Sequence, residues 1–414
     1  MKTRLVSLRF VFGVGLCVGL LWVSVALAAP GDIELVSDSD FDSYGASISG
    51  DGRFVAFETM LPQDNPQIYV FDRESGIETH IDEGGVISYY EYPKISADGQ
   101  WLAYRKTQSG GGGSRIHLLA WQDTYEPEHI IELPVSVPGW YGTEDITISA
   151  DGCRVGYSFA YEASEDVYIE DVYYYDCIEE ESFLVSKAFS SDVRGNNDSG
   201  YASISGNGQI FAFSSYATNL VNTNPPTDGR RHVYLRDLEA GETNRIMLPP
   251  EWEAKDEGKT HAISLSADGC YAAFEYNYEV AGEKYYDVFL YDCNTQEAAL
   301  ISIFNGLPSG DSDKPSISAD GRFITFSKII NGNEQIFIYD SETENIKLIS
   351  NGLDGNPGDQ FSYNSFISAD GNFIAFESWA TNLVAGDTND AMDVFVYEVD
   401  LSTGYRIFLP LIVR

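Results

Sequence analysis

The side chains best suited to holding an ion lie late in the chain, in Asp387-Thr-Asn389-Asp390-Ala-Met-Asp393. Oxygen donors at this spacing could ligate Ca2+, which prefers several hard oxygens. The stretch lacks the glycine at the sixth place and the glutamate at the twelfth of an EF-hand, so a solvated acidic loop is the alternative. Four of the five cysteines form two pairs, Cys153 with Cys177 and Cys270 with Cys293. Either pair could be a disulfide or part of a metal site, but no histidine stands at a matching spacing. Tyr90, Tyr92, Trp140 and Trp379 stand in variable stretches beside carboxylates and would suit ligand stacking. Catalytic signatures are missing. There is no Gly-x-Ser-x-Gly elbow, no His-Glu-x-x-His and no complete Gly-x-x-x-x-Gly-Lys-Ser/Thr phosphate loop. The run Gly110 to Gly113 suits a flexible loop, and the five histidines, His80, His117, His129, His232 and His261, are scattered. His117 and His232 are expected to serve packing or the surface. Carboxylates are so numerous that pairs of them carry no argument for acid–base chemistry.

What must position these residues is a repeat. The phrase Ser47-Ile-Ser-Gly-Asp-Gly52 returns as Lys94–Gly99, Thr147–Gly152, Ser203–Gly208, Ser264–Gly269, Ser316–Gly321 and Phe366–Gly371. The closing glycines are 47, 53, 56, 61, 52 and 50 residues apart, the period of a four-stranded propeller blade with its loops. In each repeat Ile-Ser predicts a short inner strand, A. Asp-Gly predicts a tight turn, because Asp can bond its own backbone and Gly can take positive φ. Alternating runs such as Phe323-Ile-Thr-Phe326 predict strand B. Runs ending in an aromatic and Asp, such as Ile336-Phe-Ile-Tyr-Asp340, predict strand C, and Ile346-Lys-Leu-Ile-Ser350 predicts strand D. No stretch past the N-terminal segment has a convincing helical period.

The Ser-Ala-Asp-Gly turn, the Ile-Ala-Phe strand and the Tyr-Asp strand end resemble TolB-like, WD40-like propeller repeats. The resemblance spans nearly the whole chain after the N-terminal segment. It implies an all-β fold, a seven-bladed β-propeller of four-stranded antiparallel blades, and says little about function. The copies vary: Gly206-Asn207 replaces Ala-Asp in the fourth, and Ala120 stands where the second should end strand C in Asp. In this frame each cysteine pair joins the start of strand B to the end of strand C, which are antiparallel neighbours. That placement, found twice, favours disulfides Cys153–Cys177 and Cys270–Cys293.

The two ends raise the question of closure. Residues 32–37 predict a D strand with no blade of its own, able to complete blade 7. Tyr405-Arg-Ile-Phe-Leu409 competes for the same slot, and the N-terminal strand is favoured. Lys2, Arg4 and Arg9, the apolar run from Phe10 and the small residues Ala26-Leu27-Ala28 predict a signal peptide over residues 1–28, with an uncleaved anchor as the competing reading. The propeller is then expected over 30–409, with a short tail at 410–414 serving attachment or merely ending the last strand.

The chain carries 25 Lys+Arg against 64 Asp+Glu, a formal net charge of −39. That excludes nucleic acid as a partner and disfavours anionic membrane surfaces. Twenty-seven Tyr and 23 Phe exclude a disordered chain. The expected location is secreted, extracellular or in the cell envelope, with no membrane span after the signal segment. The expected function is a non-enzymatic module that binds an extracellular protein, peptide or glycan through the B–C and D–A loops, which differ from blade to blade. A polysaccharide lyase or glycosidase on the same scaffold and a structural surface protein are the alternatives. Ca2+ is the one cofactor considered.

Overall fold

The computed structural model describes residues 31–37, 39–62, 65–81, 88–108, 114–122, 129–131, 145–164, 167–253 and 256–400. Seven four-stranded antiparallel sheets follow one another along the chain. Their inner strands, A, are Ser43–Ile48, Ser88–Ile95, Thr147–Ile148, Ser199–Ile204, Asp256–Leu265, Ser312–Ile317 and Ser362–Ile367, and they define blades 1 to 7. The protein is a seven-bladed β-propeller. Its only helix among the described residues is one turn, Pro250–Glu253, which buries Trp252 edge-on against Phe289.

Blade 7 takes its outermost strand from the N-terminal side. Ile33–Leu35 pairs with Asp393–Glu398, Ile33 opposite Tyr397 and Leu35 opposite Phe395. This matches the expected closure by residues 32–37. The rival segment, Tyr405 to Leu409, and the signal segment lie outside the described residues.

The recurring phrase is a folding device. In all seven copies the second hydroxyl, Ser49 and its equivalents, donates to the turn Asp or Asn at 2.5–2.7 Å. The same Ser oxygen accepts the first amide of strand B, for example Phe54 N at 2.9 Å. The turns also bond to one another. Seven backbone hydrogen bonds of 2.8–3.1 Å run from blade to blade: Gly50 to Ala97, Asp98 to Ala150, Ala150 to Gly206, Asn207 to Ala267, Ala267 to Ala319, Ala319 to Ala369 and Asp370 back to Gly50. The ring explains one departure from Ala. A Cβ on Gly50 would lie 2.8 Å from the Ala97 carbonyl oxygen.

Aromatic residues of strands B and C stack within blades, as Phe57 on Tyr69, Tyr157 on Tyr173, Phe213 on Tyr234, Phe274 on Phe289, Phe326 on Phe337 and Phe376 on Phe395. In blade 2 His117 takes that place against Tyr104. It is 5% exposed, a packing histidine as expected. The Asp ending strand C pairs with an Arg after the turn in blades 1, 3 and 6: Arg53–Asp72, Arg154–Asp176 and Arg322–Asp340. Where blade 2 has Ala120 instead, the Trp121 indole donates to the Gly99 carbonyl at 3.0 Å. Both disulfides are present, Cys153–Cys177 and Cys270–Cys293. Among the described residues no helix is long and apolar enough to cross a membrane.

Candidate functional site in the central channel

The seven A strands surround a channel of about 870 Å3. Three residues before the Ile or Leu of each phrase, strand A carries a bulge with positive φ: Gly45, Tyr92, Tyr201, Ala262, Lys314 and Asn364, at φ 34–66°. Asp145 holds that place in blade 3. Only Gly adopts this conformation without strain, so the five non-glycine bulges need support, and carboxylates of the preceding blade meet the bulge at Gly45, Tyr92, Tyr201 and Lys314. Glu377 accepts the Gly45 amide at 2.7 Å, and Glu58 accepts the Tyr92 amide at 2.6 Å. Glu275 lies against the Lys314 amide, which favours its charged form. In blade 3, where strand B offers Ser158 instead, Asp145 itself accepts the Tyr201 amide at 2.9 Å.

The glutamates among these, Glu58, Glu275 and Glu377, are buried. Loss of hydration pushes Glu58 up to about 8 despite the Tyr92 amide that favours its charged form. Burial likewise pushes Glu275 and Glu377 up to about 7. The channel wall is therefore repetitive in backbone and irregular in chemistry: Tyr92, Asp145, Tyr201, Lys314 and Asn364 all face it from equivalent places.

A second row lies one step nearer the turns. The first hydroxyl of the phrase accepts the Ile or Leu amide of the next blade. Ile95 donates to Ser47, Ile204 to Thr147, Leu265 to Ser203, Ile317 to Ser264 and Ile367 to Ser316, at 3.1–3.2 Å. Two of the seven positions carry no hydroxyl: Lys94 and Phe366. They meet in the channel, the Lys94 ammonium 4.4 Å from the Phe366 ring centre. Loss of hydration lowers the Lys94 pKa, while Glu58, Glu377 and Asp145 oppose that shift. Across the channel the Lys314 ammonium is 3.8 Å from Glu334 and 5.3 Å from the Tyr363 ring centre. The channel thus offers two cations, aromatic faces and hydrogen-bonding groups. No His or Cys is among its described lining residues.

The aromatic candidates fall in different places. Tyr92 lines the channel, with Arg105 over its ring. Tyr90 is 3% exposed, held in the core between blades 1 and 2. Tyr90 is therefore no open rim residue: alternation alone would put Tyr90 and Tyr92 on one face, and the bulge at Tyr92 breaks that register. Trp379 is half-buried, its amide bonded to the Phe361 carbonyl. Trp140 lies outside the described residues.

The acidic loop is engaged in its own fold. Asp393 is fully buried and accepts Ser37 Oγ at 2.8 Å. Asn389 donates to the Ser39 carbonyl and accepts the Ala391 amide. Asp390 is exposed at φ 54°, and Asp387 is half-buried. Cys270, Asp292 and Cys293 lie within metal-binding reach of one another, but the two sulfurs are joined in a disulfide, which removes them as thiolate ligands.

Sequence reading missed Lys94, Phe366, Glu58, Glu275 and Glu377. The signal for the first two was present, since they alone break the Ser/Thr pattern at the head of the phrase.

Solved structures share this architecture at low identity. An oligogalacturonate lyase in complex with manganese superposes with a TM-score of 0.59 at 11% identity, over 89% of this chain and 93% of that one. The β-propeller domain of the trilobed protease from Pyrococcus furiosus gives 0.54 at 14% identity, over 86% and 95%. TolB from Acinetobacter baumannii gives 0.44 at 17%, over 72% and 63%. The likeness is one of fold. No family model and no curated protein matches the sequence.

Proposed function

We propose that this protein is an extracytoplasmic binding module that receives a polar segment, peptide or glycan, in its central channel through the face bearing the B–C and D–A loops. The observation that carries this reading is the Lys94–Phe366 pair. At five junctions the same position is spent on a hydroxyl that ties one blade to the next. At these two the fold gives up that bond and places a cation and an aromatic face in an accessible channel. An unsatisfied need of folding does not explain the exchange, whereas recognition does. Tyr92, Tyr201 and Lys314 extend the surface with faces and donors suited to a hydroxyl- or carbonyl-rich ligand, and the half-buried Trp379 lies on the loop side. Two disulfides support a location outside the reducing cytoplasm. Ca2+ bound by Asp387, Asn389, Asp390 and Asp393 stays a proposal for the loop face.

The test is retention on immobilised glycans and peptides, with Lys94→Ala, Phe366→Ala and Tyr92→Phe compared with the unaltered protein. Binding should fall at least tenfold for Lys94→Ala with the melting temperature preserved. Unchanged retention in all three variants would move the site out of the channel.

A second reading is favoured by the superposition on oligogalacturonate lyase, whose structure holds manganese. Under it, the channel would carry out elimination on a uronate polymer. The charge of −39 opposes an acidic polymer. Formation of unsaturated sugar products with added Mn2+, followed by ultraviolet absorbance, decides between the two readings.

A further inference from the structure

One buried polar position recurs in strand C, beside the start of the D–A connection. In four blades a serine ending strand D clasps its first oxygen. Ser186 donates to Asp171 at 2.8 Å, Ser302 to Asp287 at 2.6 Å, Ser350 to Gln335 at 2.7 Å and Ser37 to Asp393 at 2.8 Å. The second terminal atom of the side chain differs between blades. In blade 6 it is the Gln335 amide nitrogen, which donates to the carbonyls of Gly358 and Gln360 at 3.3 and 2.8 Å. In blade 5 it is an Asp287 oxygen, which accepts Tyr278 Oη at 2.9 Å. In blade 3 it is Asp171 Oδ2. Asp171 is fully buried, and this oxygen has no hydrogen-bond partner.

The connections after blades 3 and 6 are built alike. Thr218 N donates to Asn196 Oδ1 as Thr381 N does to Asp359 Oδ1. Asn196 N donates to Asn219 Oδ1 as Asp359 N does to Asn382 Oδ1. Tyr216 N reaches the Asp198 carbonyl as Trp379 N reaches that of Phe361. By this register Gly195 and Asn197 stand where Gly358 and Gln360 stand. A carboxylate oxygen therefore replaces an amide donor opposite backbone acceptors. Phe361 is replaced by Asp198, whose Oδ1 accepts the Glu170 amide at 3.2 Å. A buried carboxylate set against acceptors is costly unless a positive charge joins them.

We propose that the connection between blades 3 and 4 binds a hard divalent cation, with Asp171 Oδ2, Asp198 and loop carbonyls as its ligands. An all-oxygen set with two carboxylates suits Ca2+. The competing answer is a proton on Asp171. Burial pushes its carboxyl up to about 7, and Asp198 and Glu170 add to that. A protonated acid would donate to the carbonyls as Gln335 does.

The experiment is calorimetric titration of the chelator-treated full-length protein with Ca2+ and Mg2+, paired with thermal melts. The unaltered protein should take up Ca2+ and melt at higher temperature with it. Asp171→Asn supplies the amide that blade 6 uses, so it should melt at least as high without metal and bind Ca2+ at least tenfold more weakly. Asp198→Asn should also weaken binding and guards against misfolding of the first variant. Asp354→Asn, which alters an exposed carboxylate outside both loops, should bind as the unaltered protein does. No heat of binding at millimolar Ca2+, or Ca2+ uptake undiminished by Asp171→Asn, overturns the proposal; loss in Asp387→Asn but not in Asp171→Asn would place the cation on the other loop.

Discussion

Lys94 and Phe366 belong to blades 2 and 7, yet they touch, spanning the inner strand of blade 1 with 4.4 Å between the ammonium and the ring centre. A cation over an aromatic face contributes about 0.5–2 kcal/mol according to its hydration. The contact also brings Lys94 under the influence of Glu58 and Glu377, the carboxylates that hold the bulges of blades 2 and 1. Backbone support and the chemistry of the channel thus share the same residues.

Lys94→Ser should separate the two roles. It restores the hydroxyl that five other junctions use, a bond contributing about 1 kcal/mol. The melting temperature should hold or rise while ligand retention falls at least tenfold. Lower stability with retention intact would make Lys94 a structural residue.

Stability should decline as pH rises from about 5 to about 8. Glu58, Glu275 and Glu377 have folded-state pKa values pushed above the ordinary carboxyl value, to about 8, 7 and 7. The folded protein therefore holds these protons more tightly than the unfolded chain. Their stabilising effect is present at low pH and is lost as pH climbs through the folded values. One such group tilts stability by about 1.4 kcal/mol per pH unit within that window. Glu377→Gln keeps an acceptor for Gly45 and removes one titration, so its melting curve should depend less on pH. Parallel profiles for the two proteins would count against the assignment.

Each disulfide closes a loop of about the same size, with separations of 24 and 23 residues. Cys153→Ser with Cys177→Ser should cost roughly 3 kcal/mol in the chain-entropy model, and the blade 5 pair a similar amount. Denaturant melts of the two double variants check this. A loss below about 0.5 kcal/mol in both would mean the links are incidental.

Deleting residues 31–37 should lower the melting temperature sharply. It removes the outer strand of blade 7 and the Glu34 partner of buried Arg73, 2.8 Å apart. It also exposes the strand beginning at Asp393, whose Val394 amide bonds to Ser37 Oγ. A melt unchanged by the deletion would require another strand to close the ring.

The fold was legible because its grammar is local. Ser49, Asp51 and Gly52 bond within a few residues of one another, and seven copies leave little room for another reading. The paired strands of the blade 3 and 5 disulfides were legible for the same reason. The channel was harder. Glu58 acts on Tyr92, 34 residues away in the next blade, and no spacing rule announces a contact between neighbouring repeats. Tyr90 and Tyr92 shared one aromatic run and, by alternation, one strand face, but the bulge breaks the register and leaves one in the core and the other at the channel. The two exceptions at the head of the phrase were visible, but they acquire meaning only once Lys94 and Phe366 are seen to meet.

The bonds that pass from turn to turn around the channel use backbone atoms and return to their starting point. No blade is first or last in that circuit, and chain order enters only through the D–A connections and the single strand lent by residues 33–35. Joining the chain's two ends with a linker and opening it at another D–A connection should therefore yield the same molecule with its seam in a different place. Such circular permutants would let the disulfide-bearing blades, or the blade holding Lys94, be carried to either terminus without disturbing the scaffold that orients them.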